Sequence, residues 1–302
     1  MEPRFVNFDS VDAYNKLYGL PTRHPLVAVV DLKEATGLVN HIKIKYGLYA
    51  LFLKNGAHCA IKYGRKLYDY QEGTVVSFSP GQLIEVDMPD EEMSPDVVGI
   101  LFHPDLVYGT PLGEKISTYS FFDYSQVEAL HLSDRERAIF LDCLHNIRQE
   151  LEHPVDAHSA SVLSANIQLL LEYMHRFYDR QFITRHKVNS EIVSRFERQL
   201  KEYYESGVRR EGLPSVVEFA DRANLSPGYF SDLVKRETGM TPKDLIMRHM
   251  VSVAKHRLNV STEDVGIIAY DLGFQYPAHF SRMFKRATGM SPSDYRRSIE
   301  MN

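Results

Sequence analysis

The chain of 302 residues has no tryptophan and only two cysteines, Cys59 and Cys143. Two isolated thiols cannot build a disulfide framework or a cysteine-based zinc site, so they read as small buried residues in a reducing compartment. Long apolar runs are missing as well. No stretch reaches the ~18 unbroken apolar residues that a membrane span needs. The opening MEPRFVNFDSVDAYNKLYG carries early acids and no apolar signal core, which predicts a cytoplasmic protein. Catalytic signatures are also lacking: there is no G-x-S-x-G, no H-E-x-x-H and no phosphate-cradling loop. His24, His41, His58 and His103 stand alone. No catalytic residue, metal site or cofactor is expected.

An excess of positive charge is the last thing missing, since the formal net charge is -5. That balance argues against a nucleic-acid partner until it is divided along the chain. Residues 212–302 hold twelve Lys and Arg against ten Asp and Glu, and residues 276–297 hold five basic residues against Asp294 alone. The cationic charge sits at the carboxyl end, where a polyanion can be held.

What is present falls into two halves. Between Pro25 and Phe102, short alternating or β-branched runs (PLVAVVDL, HIKIKYGLYALFLK, HCAIKY, KLYDY, TVVSFS, LIEV and VVGILF) are punctuated by Gly and Pro. Such a series predicts an antiparallel barrel or sandwich. In the longest run Ile42, Ile44, Tyr46, Leu48, Ala50 and Phe52 share one face, the period of a strand. After Leu130 helical spacing takes over. Ser133 and Glu136 form a capping box, and Ile139, Cys143, Leu144 and Ile147 follow at helical intervals. A second helix, about 160–178, lines up Leu163, Ile167, Leu170, Leu171, Met174 and Phe177, a stripe for packing on the barrel or for a subunit seam. The polar, weakly periodic segment 179–190 reads as an interdomain linker.

The second half contains a duplication. FSDLVKRETGMTPKD (residues 230–244) and FSRMFKRATGMSPSD (residues 280–294) agree at nine of fifteen positions, an internal repeat. Each copy follows an apolar stripe, Val216, Phe219, Ala220 and Ala223 in the first and Val265, Ile268, Ala269 and Leu272 in the second. A short turn comes next, one residue longer in the second copy, and then Pro227 or Pro277 at the first helical position. Phe230, Leu233 and Val234, with Phe280, Met283, Phe284 and Ala287, form the inward stripe of the following helix. Ser231, Asp232, Lys235 and Arg236, with Ser281, Arg282, Lys285 and Arg286, form the outward one. Gly239 and Gly289 end these helices. Helix, short turn and helix with a polar outer face is the helix-turn-helix pattern, whose second helix enters the major groove of double-stranded DNA. Two copies on one chain, joined by a helix over about 242–258, can reach two groove segments about 34 Å apart.

From about Ile192 to Ile299 the chain resembles the DNA-binding domain of the AraC/XylS family of transcription regulators. The residues that carry the likeness are Ala269, Gly273-Phe274, Phe280, Phe284-Lys285, Gly289-Met290-Ser291-Pro292 and Tyr295-Arg296. The strands, above all VVSFSPGQ at 75–82, look like the family's cupin-like effector region. This resemblance implies an α+β protein: a cupin-like antiparallel β-barrel over 1–105, a helical dimerisation region over 106–185, and an all-α DNA-binding domain over 192–299. Its helix-turn-helix motifs would lie at 216–238 and 265–288. It implies base reading from Tyr229, Ser231 and Asp232 in the first motif, and from Ala278, His279, Ser281 and Arg282 in the second. Arg282 is the strongest, because a guanidinium donates twice to guanine. Lys235, Arg236, Lys285 and Arg286 are candidates for phosphate contact. A small-molecule effector is implied, with Tyr46, Leu48, Phe52, His58, Tyr63 and Phe78 as pocket candidates. Leu163, Ile167, Leu170, Leu171 and Met174 are candidates for a homodimer helix, and RNA polymerase is a further candidate partner. The rivals are a metal-dependent cupin enzyme, for which the H-x-H pair and following glutamate are missing, and a barrel that only dimerises.

Overall fold

The computed structural model describes residues 4–37, 42–55, 61–62, 73–86, 96–125, 128–205 and 212–300. The chain divides into two compact units, Met1–Thr184 and Arg185–Asn302. No helix among the described residues is long and apolar enough to cross a membrane.

The first unit begins with strand β1 (Arg4–Phe8) and helix α1 (Val11–Tyr18), neither of which announces itself by periodicity. The Ser10 hydroxyl caps α1 by accepting from Ala13 N at 3.1 Å. Strands β2 (Val27–Asp31), β3 (Ile42–Tyr46), β4 (Tyr49–Lys54), β5 (Ile61–Lys62), β6 (Thr74–Phe78), β7 (Leu83–Val86) and β8 (Val97–Phe102) follow. Helices α2 (Pro104–Val107) and α3 (Pro111–Lys115) lead to the short β9 (Leu130–His131), and α4 (Asp134–Glu150) and α5 (Ser159–Thr184) close the unit.

The described strands form two sheets, in the orders β1-β3-β7-β5 and β2-β8-β4-β6-β9, rather than one closed barrel. Pairing is antiparallel except between β1 and β3, which run parallel. The long run expected as a single strand is two strands in different sheets. The chain turns at Gly47 and Leu48, where Gly47 N donates to Phe8 O at 2.9 Å, and β3 and β4 then part to opposite sheets. All six residues of its apolar face nonetheless stay inward: Ile42, Ile44, Tyr46, Leu48, Ala50 and Phe52 belong to one core cluster drawn from both sheets. Leu51 and Leu53 are buried too, so β4 is covered on both faces.

The capping box of α4 is present, with Ser133 N donating to Glu136 Oε2 at 2.9 Å. Arg180 on α5 then grips Glu136 with two nitrogens, at 3.0 and 2.7 Å, and also donates to His131 O. Helix α5 packs on α4. Leu163, Ile167, Leu170, Leu171 and Met174, expected as a subunit seam, are fully buried inside their own unit. A stripe already sealed against its own chain has no face left for a second copy. The large apolar residues that α5 exposes are Val162, Leu169 and Ile183. Residues 179–190, read as a linker, are helical apart from Arg185.

The second unit is helical: α6 (His186–Glu205), α7 (Val216–Ala223), α8 (Pro227–Thr238), α9 (Pro242–Val260), α10 (Val265–Asp271), α11 (Pro277–Thr288) and α12 (Pro292–Glu300). Helix α9 is the spine. It packs against α6 and α8, and also against α10 and α12. Around the first motif Phe196 of α6 meets Phe219 and Phe230 edge-on, at 4.9 and 5.3 Å between ring centres. Around the second, Met250, Ala254 and Leu258 of α9 pack with Ile268, Ala269, Leu272, Phe274, Phe280 and Phe284.

Candidate nucleic-acid interface

The two repeats are closed by the same hydrogen bonds. Helix α7 ends with Asn224 in the left-handed region at φ 57° and Leu225 N donating to Ala220 O at 2.9 Å. Helix α10 ends with Gly273 at φ 93° and Phe274 N donating to Ala269 O at 3.0 Å. These are matching Schellman-type ends, and each reverses the chain into the next helix. Beyond α8 and α11, Gly239 N and Gly289 N each donate to a lysine carbonyl, Lys235 O and Lys285 O, at 2.8 Å. Thr241 and Ser291 then cap α9 and α12 by accepting from Asp244 N and Asp294 N, both at 3.2 Å.

The helix starts differ. Helix α8 is capped by Ser226, whose hydroxyl accepts from Tyr229 N at 3.2 Å. The corresponding place before α11 is Tyr276, which makes no side-chain cap. Both helices have proline at their first position.

The outward faces also differ. On α11, Ala278, His279, Arg282, Lys285 and Arg286 are exposed and Ser281 is half-buried. On α8, Lys235 and Arg236 are exposed, while Ser231 and Asp232 are half-buried. The Ser231 hydroxyl donates to Pro227 O at 2.7 Å, so its hydrogen is engaged within the helix. Tyr229, expected among the base-reading residues, is only 4 % exposed. Its ring packs inward and cannot reach a base edge without leaving the core. Ala287, expected in the buried stripe, is exposed instead; that stripe ends at Phe284, where the Tyr295 ring of α12 closes over it at 5.5 Å.

The five cations of residues 276–297 divide into two groups. Arg296 donates to Leu258 O at 3.4 Å, tying α12 to the carboxyl end of α9, and Arg297 pairs with Asp294. Arg282, Lys285 and Arg286 remain outward. Arg257 at the end of α9 reaches Glu263 at 2.7 Å and Asp271 at 2.8 Å. Burial opposes the Arg257 charge, but these two carboxylates outweigh it and raise its pKa. The arrangement pins the end of α9 to α10, and so orients the second motif.

In the first unit Tyr46, Leu48, Phe52 and Phe78 are buried in the core cluster. Tyr46 stacks on Phe78 at 5.0 Å. His58 and Tyr63 lie outside the described residues, as do His41 and Cys59. His24 and His103 each accept a backbone N–H, from Leu26 and Asp105, at 3.1 Å. A cleft of about 150 Å³ lies elsewhere in this unit, lined among others by Asn15, Arg23, Val27, Val29, Arg148 and Glu152.

Two helix-turn-helix motifs in series on a shared central helix define a helix-turn-helix protein. Residues 219–298 match the family model described as "Helix-turn-helix domain", so the carboxyl-terminal unit carries such a domain. The match covers that unit alone. No curated protein matches the chain. Among solved structures, the carboxyl-terminal domain of AraT, a response regulator from Geobacillus stearothermophilus, is 29% identical, with 35% of this chain and 84% of that chain covered and a TM-score of 0.31. The DNA-binding domain of AdpA, a global transcriptional factor in complex with a target DNA, is 25% identical, covering 37% and 93% with a TM-score of 0.32. An apo single-residue variant of ToxT from Vibrio cholerae strain SCE256 is 14% identical, covering 89% and 96% with a TM-score of 0.30.

Proposed function

We propose that the protein is a sequence-specific, DNA-binding transcription regulator rather than an enzyme, with the second unit reading DNA and the first responding to a small molecule. The observation that carries this reading is the outer face of α11. Three cations and a histidine are exposed there on a helix placed by a helix-turn-helix frame, while nearby arginines of α12 are engaged internally. Such a face supplies phosphate contacts from Lys285 and Arg286 and base contacts from Arg282 and its neighbours. The first motif supplies Lys235 and Arg236 to phosphate, with Ser231 and Asp232 near the bases. Helix α9, 19 residues long, spans about 28 Å at 1.5 Å per residue. That length suits two recognition helices set in successive major-groove segments.

The effector would enter the cleft lined by Arg148 and Asn15, because charged and apolar groups converge there. Dimerisation would use the exposed face of α5, through Val162 and Leu169. An effector shifts DNA affinity only by binding one arrangement of the protein better than another. Selection of DNA sites from a random pool, with and without a panel of metabolites, tests the whole reading. One enriched site whose affinity a metabolite changes is the expected result; recovery of random sequence with every addition refutes it.

A further inference from the structure

The start of α11 departs from its internal copy in three ways that point to one role. The turn is one residue longer, the capping serine of the first copy is replaced by Tyr276, and that tyrosine is 62 % exposed with no cap hydrogen bond. A lost cap costs a helix about 1 kcal/mol, so a large exposed ring at this position serves something other than helix stability. The ring lies 5.4 Å from the His279 ring, centre to centre.

Tyr276, His279, Arg282 and Arg286 follow one another at intervals of three, three and four residues, and all four are exposed. These intervals place them along one helix face. In the first copy the equivalent positions are Ser226, the buried Tyr229, Asp232 and Arg236, so the extended aromatic edge belongs to the second motif alone.

Resting on the DNA-reading role of α11 given above, we propose that Tyr276 is a further specificity-determining residue. Its ring, braced by His279, reads the C5-methyl group of a thymine near the base that Arg282 reads. The methyl is the one apolar group on the major-groove base edges, and it is the partner that an exposed ring finds there. Six residues separate Tyr276 from Arg282, about 9 Å along the helix. The thymine therefore lies within about three base pairs of Arg282's base, at 3.4 Å per step.

The test uses the full chain and the DNA site it selects. Each thymine near the Arg282-dependent position is replaced in turn by deoxyuridine, which lacks only the methyl, and affinities are measured for the wild type, Tyr276→Phe and Tyr276→Ser. For the wild type, one replacement weakens binding about fourfold, the worth of one buried methyl group. Tyr276→Phe keeps that discrimination, and Tyr276→Ser binds both DNAs equally. Serine caps α8 at the matching place, so Tyr276→Ser melts no lower than the wild type, and lost discrimination is not lost folding. Discrimination that persists in Tyr276→Ser overturns the proposal, as does a site in which no thymine responds. A uniform loss in Tyr276→Phe on every DNA overturns it in favour of a hydroxyl-to-phosphate contact. If the site depends on Arg282 but not on Tyr276, this inference alone fails; if no site is selected at all, the DNA-reading role of α11 fails with it.

Discussion

Arg282 and Asp232 occupy the same place in the two copies and carry opposite charge, on helices that share their inward stripe and their closing glycine. Arg282 is exposed and can donate twice to guanine, whereas the half-buried Asp232 repels phosphate and accepts only from a base amino group such as that of cytosine. Arg282→Ala should cost about 1 to 3 kcal/mol on the selected site and little on random DNA. Asp232→Ala should change binding to either by less than Arg282→Ala changes the selected site. Fluorescence anisotropy on both DNAs checks this, and an equal loss on both for Arg282→Ala makes that residue a phosphate clamp. A second prediction concerns Glu136. Burial pushes its pKa up, but the Ser133 N–H and the Arg180 guanidinium outweigh this and hold it below its ordinary value of 4.5. A carboxylate with a lowered folded pKa adds stability that is complete above its unfolded value and is lost as pH falls through the folded one. Glu136→Gln should therefore destabilise the first unit by about 2 kcal/mol at pH 7. The gap should close below the folded pKa, as read from urea unfolding of the two proteins across pH 7 to 2.

Among the elements, the close approach at Gly273 gives the sharpest contrast. A methyl group there would lie 2.1 Å from the Gly212 carbonyl oxygen, in a backbone already at φ 93°. Gly239 has φ 74° and open space around it. Gly273→Ala should cost at least about 3 kcal/mol, and Gly239→Ala about 1 to 2 kcal/mol from backbone strain alone. Equal melting temperatures for the two variants would contradict the packing described. The elements of the second unit were legible because their signals are local. Pro227 and Pro277 start α8 and α11, Gly239 and Gly289 end them, and the apolar stripes recur at helical spacing. The first unit was legible only in part. The alternation from Ile42 to Phe52 gave the inward face correctly, but alternation alone does not show that the chain changes sheets at Gly47. Strand β1 was not read because its parallel pairing with β3 is set by a partner some forty residues away. The burial of Tyr229 was hidden for a related reason, since a stripe predicts which face is inward but not how far that face extends.

For the whole molecule, the repeated core and the carboxyl ends of the recognition helices are constant and the outward letters are not. The duplicated phrase fixes core and helix ends in both motifs, while the turn length and the cap at the helix start differ and the exposed chemistry is concentrated on the second. In the proposed function, two motifs around one central helix would give a single chain two points of contact with DNA, of unequal discrimination. Hydroxyl-radical footprinting of the selected site tests this most directly. The account predicts protection of the backbone flanking two major-groove segments about one helical turn apart, with Arg282→Ala weakening the segment bound by the second motif before the other. Protection of one segment only, or a footprint and affinity unchanged in Arg282→Ala, would contradict it.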